Sequence, residues 1–146
     1  MMISTKGRYA LRVMIELAGQ PEGKLVALKE IAQRQGISEK YLEAIMKKLV
    51  EKGLVSGLRG KRGGYQLSRK PEECTVGEIL RAAEDTLAPV ACLGLSGEQG
   101  CPRSGQCVTL PIWKELRQLI DDFFDGITLD QLACQAQMIE GGLDAV

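Results

Sequence analysis

Residues 38–53 read SEKYLEAIMKKLVEKG, and this stretch decides the fold. Ser38 can cap the first turn of a helix, and Gly53 suits the left-handed position just past its end. The residues between the apolar positions are Glu43, Ala44, Lys47 and Lys48. Helical spacing gathers the apolar residues into one buried stripe, namely Leu42, Ile45, Met46 and Leu49. The sequence therefore predicts an amphipathic helix whose outer face is free for a partner.

The stretch before this helix predicts a shorter one between about residues 28 and 35. Leu28, Ile31 and Ala32 share one face of it. Gly36 then allows a tight turn into the longer helix. Two amphipathic helices joined in this way form a helix-turn-helix, whose second helix fits the major groove of DNA.

The stretch after the longer helix predicts a β-hairpin. Two short strand-like runs, Leu54–Leu58 and Tyr65–Leu67, flank a glycine-rich tip at residues 59–64. Cations at such a tip would meet the phosphate backbone or enter the minor groove. The tip carries three of them, Arg59, Lys61 and Arg62. The expected fold class is therefore mainly α with a small β-hairpin wing, that is, a winged helix-turn-helix.

Further helices are predicted on both sides of this unit. Ser4 can cap a first helix to about Ala18, and Thr75 with Glu78 can form the capping box of one that ends near Ala83. Near the C-terminus, Thr128 can cap a short helix. We expect this last helix to end at about residue 137, with a frayed tail from residue 141.

A long helix is predicted between Pro111 and Gly126. Its apolar face is too broad for one small domain to cover, so we expect it to hold a homodimer together. The face consists of Ile112, Leu116, Leu119, Ile120 and Phe123, widened by Trp113 and Phe124.

Charge is unevenly divided along the 146 residues, although the net charge is zero. Residues 1–70 carry 15 basic and 6 acidic side chains, whereas residues 71–146 carry 4 and 13. This asymmetry favours a nucleic-acid-binding half. The absence of histidine excludes Ser-His-Asp and Cys-His hydrolases, and we expect no enzyme. No apolar run approaches ~18 residues, so we expect a cytoplasmic protein with no membrane partner.

Three of the five cysteines fall in the glycine-rich segment 84–109: Cys92, Cys101 and Cys107. Three thiolates in a pliable loop suit zinc or an iron–sulfur cluster, and the lack of a CxxC motif disfavours a zinc ribbon. Three incidental surface thiols remain the alternative. Cys74 and Cys134 are expected to be packing residues.

Several motifs together resemble the IscR/NsrR/RirA/CymR family of winged-helix transcription regulators. The likeness covers about residues 2–134 and implies a homodimer on palindromic double-stranded DNA. In IscR-like members it implies a 2Fe–2S cluster on three cysteines and control of iron–sulfur cluster biogenesis genes. The motifs are STKGRYALR at 4–12, RQGIS at 34–38, YLE at 41–43, GLV at 53–55, RG at 59–60, GGY at 63–65, VGEI at 76–79, the three cysteines, Trp113 and ITL at 127–129.

The resemblance also implies roles for single residues. Tyr41, Glu43 and Arg59 fall at DNA-reading positions, and the three cysteines of segment 84–109 fall at ligand positions. The full expected DNA-binding set is Ser38, Lys40, Tyr41, Glu43, Ala44, Lys47, Arg59, Lys61 and Arg62.

Two departures leave the fourth cluster ligand open. Leu110 stands where IscR-like members have a histidine, and Arg8 stands where the nitric-oxide-sensing members have an acidic residue. A 4Fe–4S cluster therefore stays an alternative to 2Fe–2S. The candidates nearby are Glu98, Gln99, Ser104, Gln106 and Thr109.

The sequence thus predicts three parts. Residues 1–83 form the DNA-binding domain, 84–109 the cysteine-bearing loop, and 110–146 the dimerisation helix and tail. The predicted function is transcription regulation through an iron–sulfur sensor. The alternative is a CymR-like regulator that senses thiol redox state or a partner protein without a cluster.

Overall fold

The computed structural model describes residues 3–94 and 101–144, with the side chains of 142–144 left aside. Seven α-helices and one two-stranded antiparallel sheet follow one another in these residues, which confirms the expected fold class. Single 3₁₀ turns lie at Pro71–Glu73 and Ser104–Gln106. The elements are α1 (Thr5–Ala18), α2 (Leu28–Gln35), α3 (Glu39–Glu51), β1 (Val55–Leu58), β2 (Gly64–Leu67), α4 (Val76–Ala83), α5 (Ala91–Gly94), α6 (Leu110–Asp125) and α7 (Leu129–Asp144).

The predicted helix caps are present. The hydroxyl of Ser38 accepts the backbone amide of Tyr41 over 3.1 Å at the start of α3. Thr75 and Glu78 form a reciprocal capping box at the start of α4. Gly36 adopts φ 66° between α2 and α3, a left-handed conformation that a Cβ would strain. These local signals explain why the sequence alone sufficed to place the first four helices.

The core lies between α1, α2, α3, α4 and the start of α7. Each of these helices turns its apolar stripe inward, and the strand residue Val55 closes one side. Leu129 of α7 is fully buried, so the last helix packs into the same core as the first. The largest fully buried side chains include Met14, Ile31, Leu42, Ile45, Met46, Leu49, Ile79 and Leu129.

The wing is a hairpin in which Val55 pairs with Leu67 and Leu58 pairs with Gly64. Its second strand also bridges the segment before α2, because the amide of Tyr65 donates to the carbonyl of Val26 over 2.8 Å. A Cβ on Gly64 would lie 2.5 Å from that carbonyl oxygen. The base of the wing is therefore anchored to the helical domain.

The C-terminal part differs from expectation in three details. The last helix, expected to end near residue 137 with a fraying tail, continues to Asp144. Cys134, expected to pack inside, is exposed because the buried face of α7 is formed by Leu129 and Ala133. The segment 84–109, expected to be irregular, contains the short α5 and a 3₁₀ turn at Ser104–Gln106 in the parts that the structure describes. Cys74 is buried as expected.

Two arginines connect α6 to the preceding elements. Arg81 of α4 donates to both carboxylate oxygens of Asp125 over 2.8 and 2.9 Å and to Asp121 over 3.2 Å. Arg117 donates to the carbonyl of Leu93 in α5 over 2.8 Å. These polar contacts and the packing of Phe124 hold α6, while the stripe that includes Ile112, Leu119 and Phe123 stays exposed.

None of the helices in the described part of the chain combines the length and the apolarity that crossing a membrane requires.

Candidate nucleic-acid interface and cysteine segment

The outer face of α3 is exposed along its length. Lys40, Glu43, Ala44 and Lys47 all lie on it, and Ser38 is exposed at its N-terminus. The buried stripe that faces the core fixes this orientation, since positions three and four apart share a side of the helix. A face of mixed charge with one small residue can approach a DNA groove closely.

Tyr41 differs from these neighbours, because it is half-buried and held by α1. Its hydroxyl donates to Oγ1 of Thr5 over 2.9 Å. Its ring packs edge-on against Tyr9, with centroids 6.0 Å apart and an interplanar angle of 87°. The phenol is therefore fixed at the seam between α1 and α3. Sequence reasoning did not identify Thr5 as part of this site.

The wing tip presents Arg59, Lys61 and Arg62, all exposed. The turn closes through a hydrogen bond from the amide of Gly63 to the carbonyl of Gly60 over 3.0 Å, and Gly60 adopts φ 113°. Within residues 3–94 and 101–144, no carboxylate forms an ion pair with these three cations. They are thus available to phosphate groups.

Lys48 is a second residue that sequence reasoning left unassigned. Its ammonium group donates to the carbonyl of Ala83 over 3.3 Å and lies 3.7 Å from the carboxylate of Asp85. It therefore joins α3 to the end of α4. The signal that could have identified it is its position beside the apolar stripe, where a long side chain reaches a neighbouring helix.

The three cysteines of the segment lie on different local structures. Cys92 is in α5, whereas Cys101 precedes and Cys107 follows the 3₁₀ turn at Ser104–Gln106. All three are half-buried. The sulfur of Cys107 lies 3.4 Å from Oγ1 of Thr109. Hydrogen bonding from Thr109 lowers the pKa of the Cys107 thiol, which favours the thiolate that binds metals or attacks oxidants.

The described residues bring no three cysteine or acidic side chains together in a group that could hold a metal ion. The donor chemistry nevertheless fits an iron–sulfur cluster. The three thiols lie in one segment and are only half-buried, and the pKa of the Cys107 thiol is lowered. Leu110 offers no ligand atom. Of the candidates for the fourth ligand, Ser104, Gln106 and Thr109 are exposed, while Glu98 and Gln99 lie outside the described residues.

Most of the apolar face of α6 is uncovered by the described residues, and only its edge at Phe124 packs against a buried cluster, that of Val76, Leu80 and Leu87. None of the sixteen residues of α6, all of which the structure describes, is buried. Ile112, Leu119 and Phe123 are 58%, 61% and 65% exposed. Such a contiguous apolar surface is typical of an interface.

A helix-turn-helix with an exposed basic wing belongs to the class of DNA-binding transcription regulators. Residues 3–135 match the Rrf2 family model, described as an iron-dependent transcriptional regulator. The chain belongs to the Rrf2 family, whose similar members are named as transcription regulators and not as enzymes.

Named relatives support this assignment. The transcriptional regulator IscR of Aliivibrio salmonicida is 39% identical over 132 residues, which cover 90% of this chain and 77% of that protein. Two solved structures are similar as well. IscR of T. potens has a TM-score of 0.72 at 35% identity, with 93% of this chain and 88% of that one covered. CymR, the global cysteine regulator of B. subtilis, has a TM-score of 0.71 at 37% identity, with 92% and 98% covered.

Proposed function

We propose that this chain is a homodimeric regulator that reads a palindromic operator and senses iron–sulfur status through Cys92, Cys101 and Cys107. The observation that carries the DNA-binding part is the exposure of the outer face of α3 and of the three cations at the wing tip. This surface belongs to the half of the chain with 15 basic and 6 acidic side chains. Counterion release from phosphates would supply most of its affinity.

The proposed reading residues divide into two groups. Glu43, Ala44 and Lys47 on α3 face the major groove, and Tyr41 contacts DNA from the seam between α1 and α3. Ser38 and Lys40 lie at the backbone near the N-terminus of α3. Arg59 reads a base edge or a narrow minor groove, and Lys61 and Arg62 contact phosphates. The carboxylate of Glu43 would exclude sites that place an acceptor against it, so it contributes selectivity rather than affinity.

The proposed dimer follows from α6. A second copy can cover the exposed stripe around Leu119 by a two-fold arrangement, in which each stripe packs on its equivalent. The two copies of α3, which is the recognition helix, would be related by that axis and would meet successive major grooves. This arrangement requires a palindromic site. The dimer therefore links the uncovered apolar helix to the geometry of the operator.

The proposed sensor rests on the donor set of the segment. A cluster bound by the three thiolates would make the protein sensitive to oxygen and to iron shortage. A 2Fe–2S form is favoured over 4Fe–4S by the likeness to IscR relatives, and iron–sulfur biogenesis genes are the proposed targets. Without a ligating side chain at Leu110, the fourth ligand would be weak or exchangeable.

The second candidate is a regulator that senses through thiol chemistry or a partner protein. The lowered pKa of the Cys107 thiol favours it, because a thiolate at neutral pH reacts readily with oxidants. Anaerobic purification separates the two, since a cluster colours the protein and free thiols do not.

The experiment for DNA binding is a fluorescence anisotropy titration with the protein's own promoter region at several salt concentrations. We expect tight binding whose affinity falls steeply with salt, since several phosphates are neutralised. A promoter sequence scrambled at the same length serves as the control duplex. Absence of binding to either duplex at low salt would defeat the proposal.

A further inference from the structure

The carboxylate of Glu84 lies at the N-terminus of α1 and accepts three hydrogen bonds. The backbone amide and the hydroxyl of Ser4 donate to its Oε1 over 2.7 and 2.8 Å, and the amide of Gly7 donates to the same oxygen over 3.2 Å. The first amides of a helix have no partner within the helix and form the positive end of its dipole. A carboxylate at this position is therefore a strong cap.

Gly7 leaves room for this carboxylate because it has no side chain. A Cβ on Gly7 would clash with Oε1 of Glu84. Gly7 does not adopt a positive φ, so the contact requires its lack of a side chain rather than its backbone freedom. The two residues are 77 positions apart in the chain and meet at the start of α1.

The first turn of α1 also contacts the recognition helix. Thr5, the first residue of α1, accepts the hydroxyl of Tyr41 over 2.9 Å. Two turns further along the same face of α3, Lys48 donates to the carbonyl of Ala83, the residue before Glu84. The recognition helix is thus tied to the residue before Glu84 and to the turn that Glu84 caps.

We propose that Glu84 is a positioning residue for DNA recognition. By fixing the first turn of α1 it holds Thr5, and through Thr5 it holds the side chain of Tyr41 and the orientation of α3. Glu84 is also the first residue of the cysteine-bearing segment 84–109, so a conformational change in that segment reaches α3 at this point. The proposal rests on the proposed function, in which α3 reads DNA.

The test compares Glu84→Ala with Asp85→Ala. Each variant removes one carboxylate from the same junction, but the side chain of Asp85 is 99% exposed and pairs only with Lys48 among the described residues. Fluorescence anisotropy gives the dissociation constants for two duplexes of equal length. One is the protein's own promoter region, which serves as the operator, and the other is its scrambled sequence. Amide hydrogen exchange at Gly7 is measured on the free proteins.

The two variants are expected to differ in selectivity. Loss of a negative charge alone strengthens binding to both duplexes alike, which we expect for Asp85→Ala. For Glu84→Ala we expect operator affinity about tenfold below that of Asp85→Ala, the factor that matches one lost charge-assisted hydrogen bond. Scrambled-duplex affinity should be the same in both. Exchange at Gly7 should be faster in Glu84→Ala only.

Equal operator-to-scrambled ratios in the two folded variants would overturn the proposal. If Glu84→Ala does not fold, the comparison is made between Glu84→Gln and Asp85→Asn, and equal ratios there overturn it in the same way. The unchanged protein is titrated first. If it binds neither duplex, the proposed function itself has failed, whereas a failure confined to the Glu84 variants rejects only the positioning role.

Discussion

The helices α3 and α6 are both amphipathic, yet the chain uses them in opposite ways. Four residues of the thirteen in α3 are buried, whereas α6 buries none of its sixteen. In α3 the apolar stripe faces the core and the polar side is left for a partner. In α6 the polar flank is attached through Arg81 and Arg117, and the apolar stripe is left. Helical periodicity identifies the apolar face of a helix, but not what covers it.

This difference indicates two kinds of partner. A polar, cationic surface suits a polyanion, because its charges keep their hydration until they meet phosphate groups. An uncovered stripe that includes Leu119 and Phe123 suits a second apolar surface, and a copy of the same helix provides one. The predictions below test whether the two helices depend on these different partners.

The largest expected effect comes from a matched pair of leucines. Leu49→Ala in α3 should lower the free energy of unfolding by about 2–5 kcal/mol, because Leu49 is fully buried and its removal leaves a cavity. Leu119→Ala in α6 should cost less than about 0.5 kcal/mol in dilute solution, where its 61% exposed side chain has no partner. Urea denaturation measures both. Equal losses at low protein concentration would remove the distinction between the helices.

The next effect concerns association. Leu119→Lys or Phe123→Lys should convert the proposed dimer to a monomer, because a buried Leu or Phe contributes roughly 1.5–3 kcal/mol and each side chain occurs twice in a two-fold interface. Analytical ultracentrifugation measures the change. Gln118→Lys is the control, since it adds the same charge to α6 off the apolar stripe. A Phe123→Lys protein that stays dimeric would place the interface elsewhere.

A smaller effect separates two cations of the wing. Arg59→Ala should weaken operator binding by about 1–3 kcal/mol and relax base preference, as expected for a side chain that reads a base edge or a narrow groove. Lys61→Ala should weaken operator and scrambled duplex alike, since a phosphate contact carries no sequence information. Titrations of both duplexes measure the two effects. If both variants lose affinity without any change in selectivity, Arg59 is a phosphate contact only.

The smallest effect is on thiol reactivity in the cysteine segment. Thr109→Val removes the hydrogen bond that lowers the pKa of the Cys107 thiol, so the pKa should rise and less thiolate should be present at pH 7. Alkylation of Cys107 by iodoacetamide should then slow. The exposed Cys134 in the same sample is the internal reference, with an unchanged rate. An unchanged rate at Cys107 as well would show that Thr109 does not stabilise the thiolate.

Sequence patterns sufficed for the elements that local chemistry determines. The caps at Ser38 and Thr75 and the glycine turn at Gly36 depend on neighbours within a few residues, so α3, α4 and the helix-turn-helix could be predicted. The long α6 followed from its N-terminal Pro111 in the same way.

Features that depend on distant contacts could not be predicted. The last helix continues to Asp144 although Gly141 suggested an end, and it packs against α1. Cys134 was expected inside because free cysteine behaves as a small apolar residue, yet it is exposed, since Leu129 and Ala133 form the buried face of α7. The cap that Glu84 provides to α1 joins residues 77 and 80 positions apart, so no local sequence pattern predicts it.

Cluster binding by the three thiolates of the cysteine segment has one direct test. Iron, acid-labile sulfide and visible absorption are measured on anaerobically purified protein and on four single variants. We predict a coloured protein whose iron and sulfide are lost in Cys92→Ala, Cys101→Ala and Cys107→Ala and retained in the matched control Cys134→Ala. Full iron and sulfide in Cys101→Ala would contradict the ligand set, and a colourless unchanged protein would contradict the cluster itself.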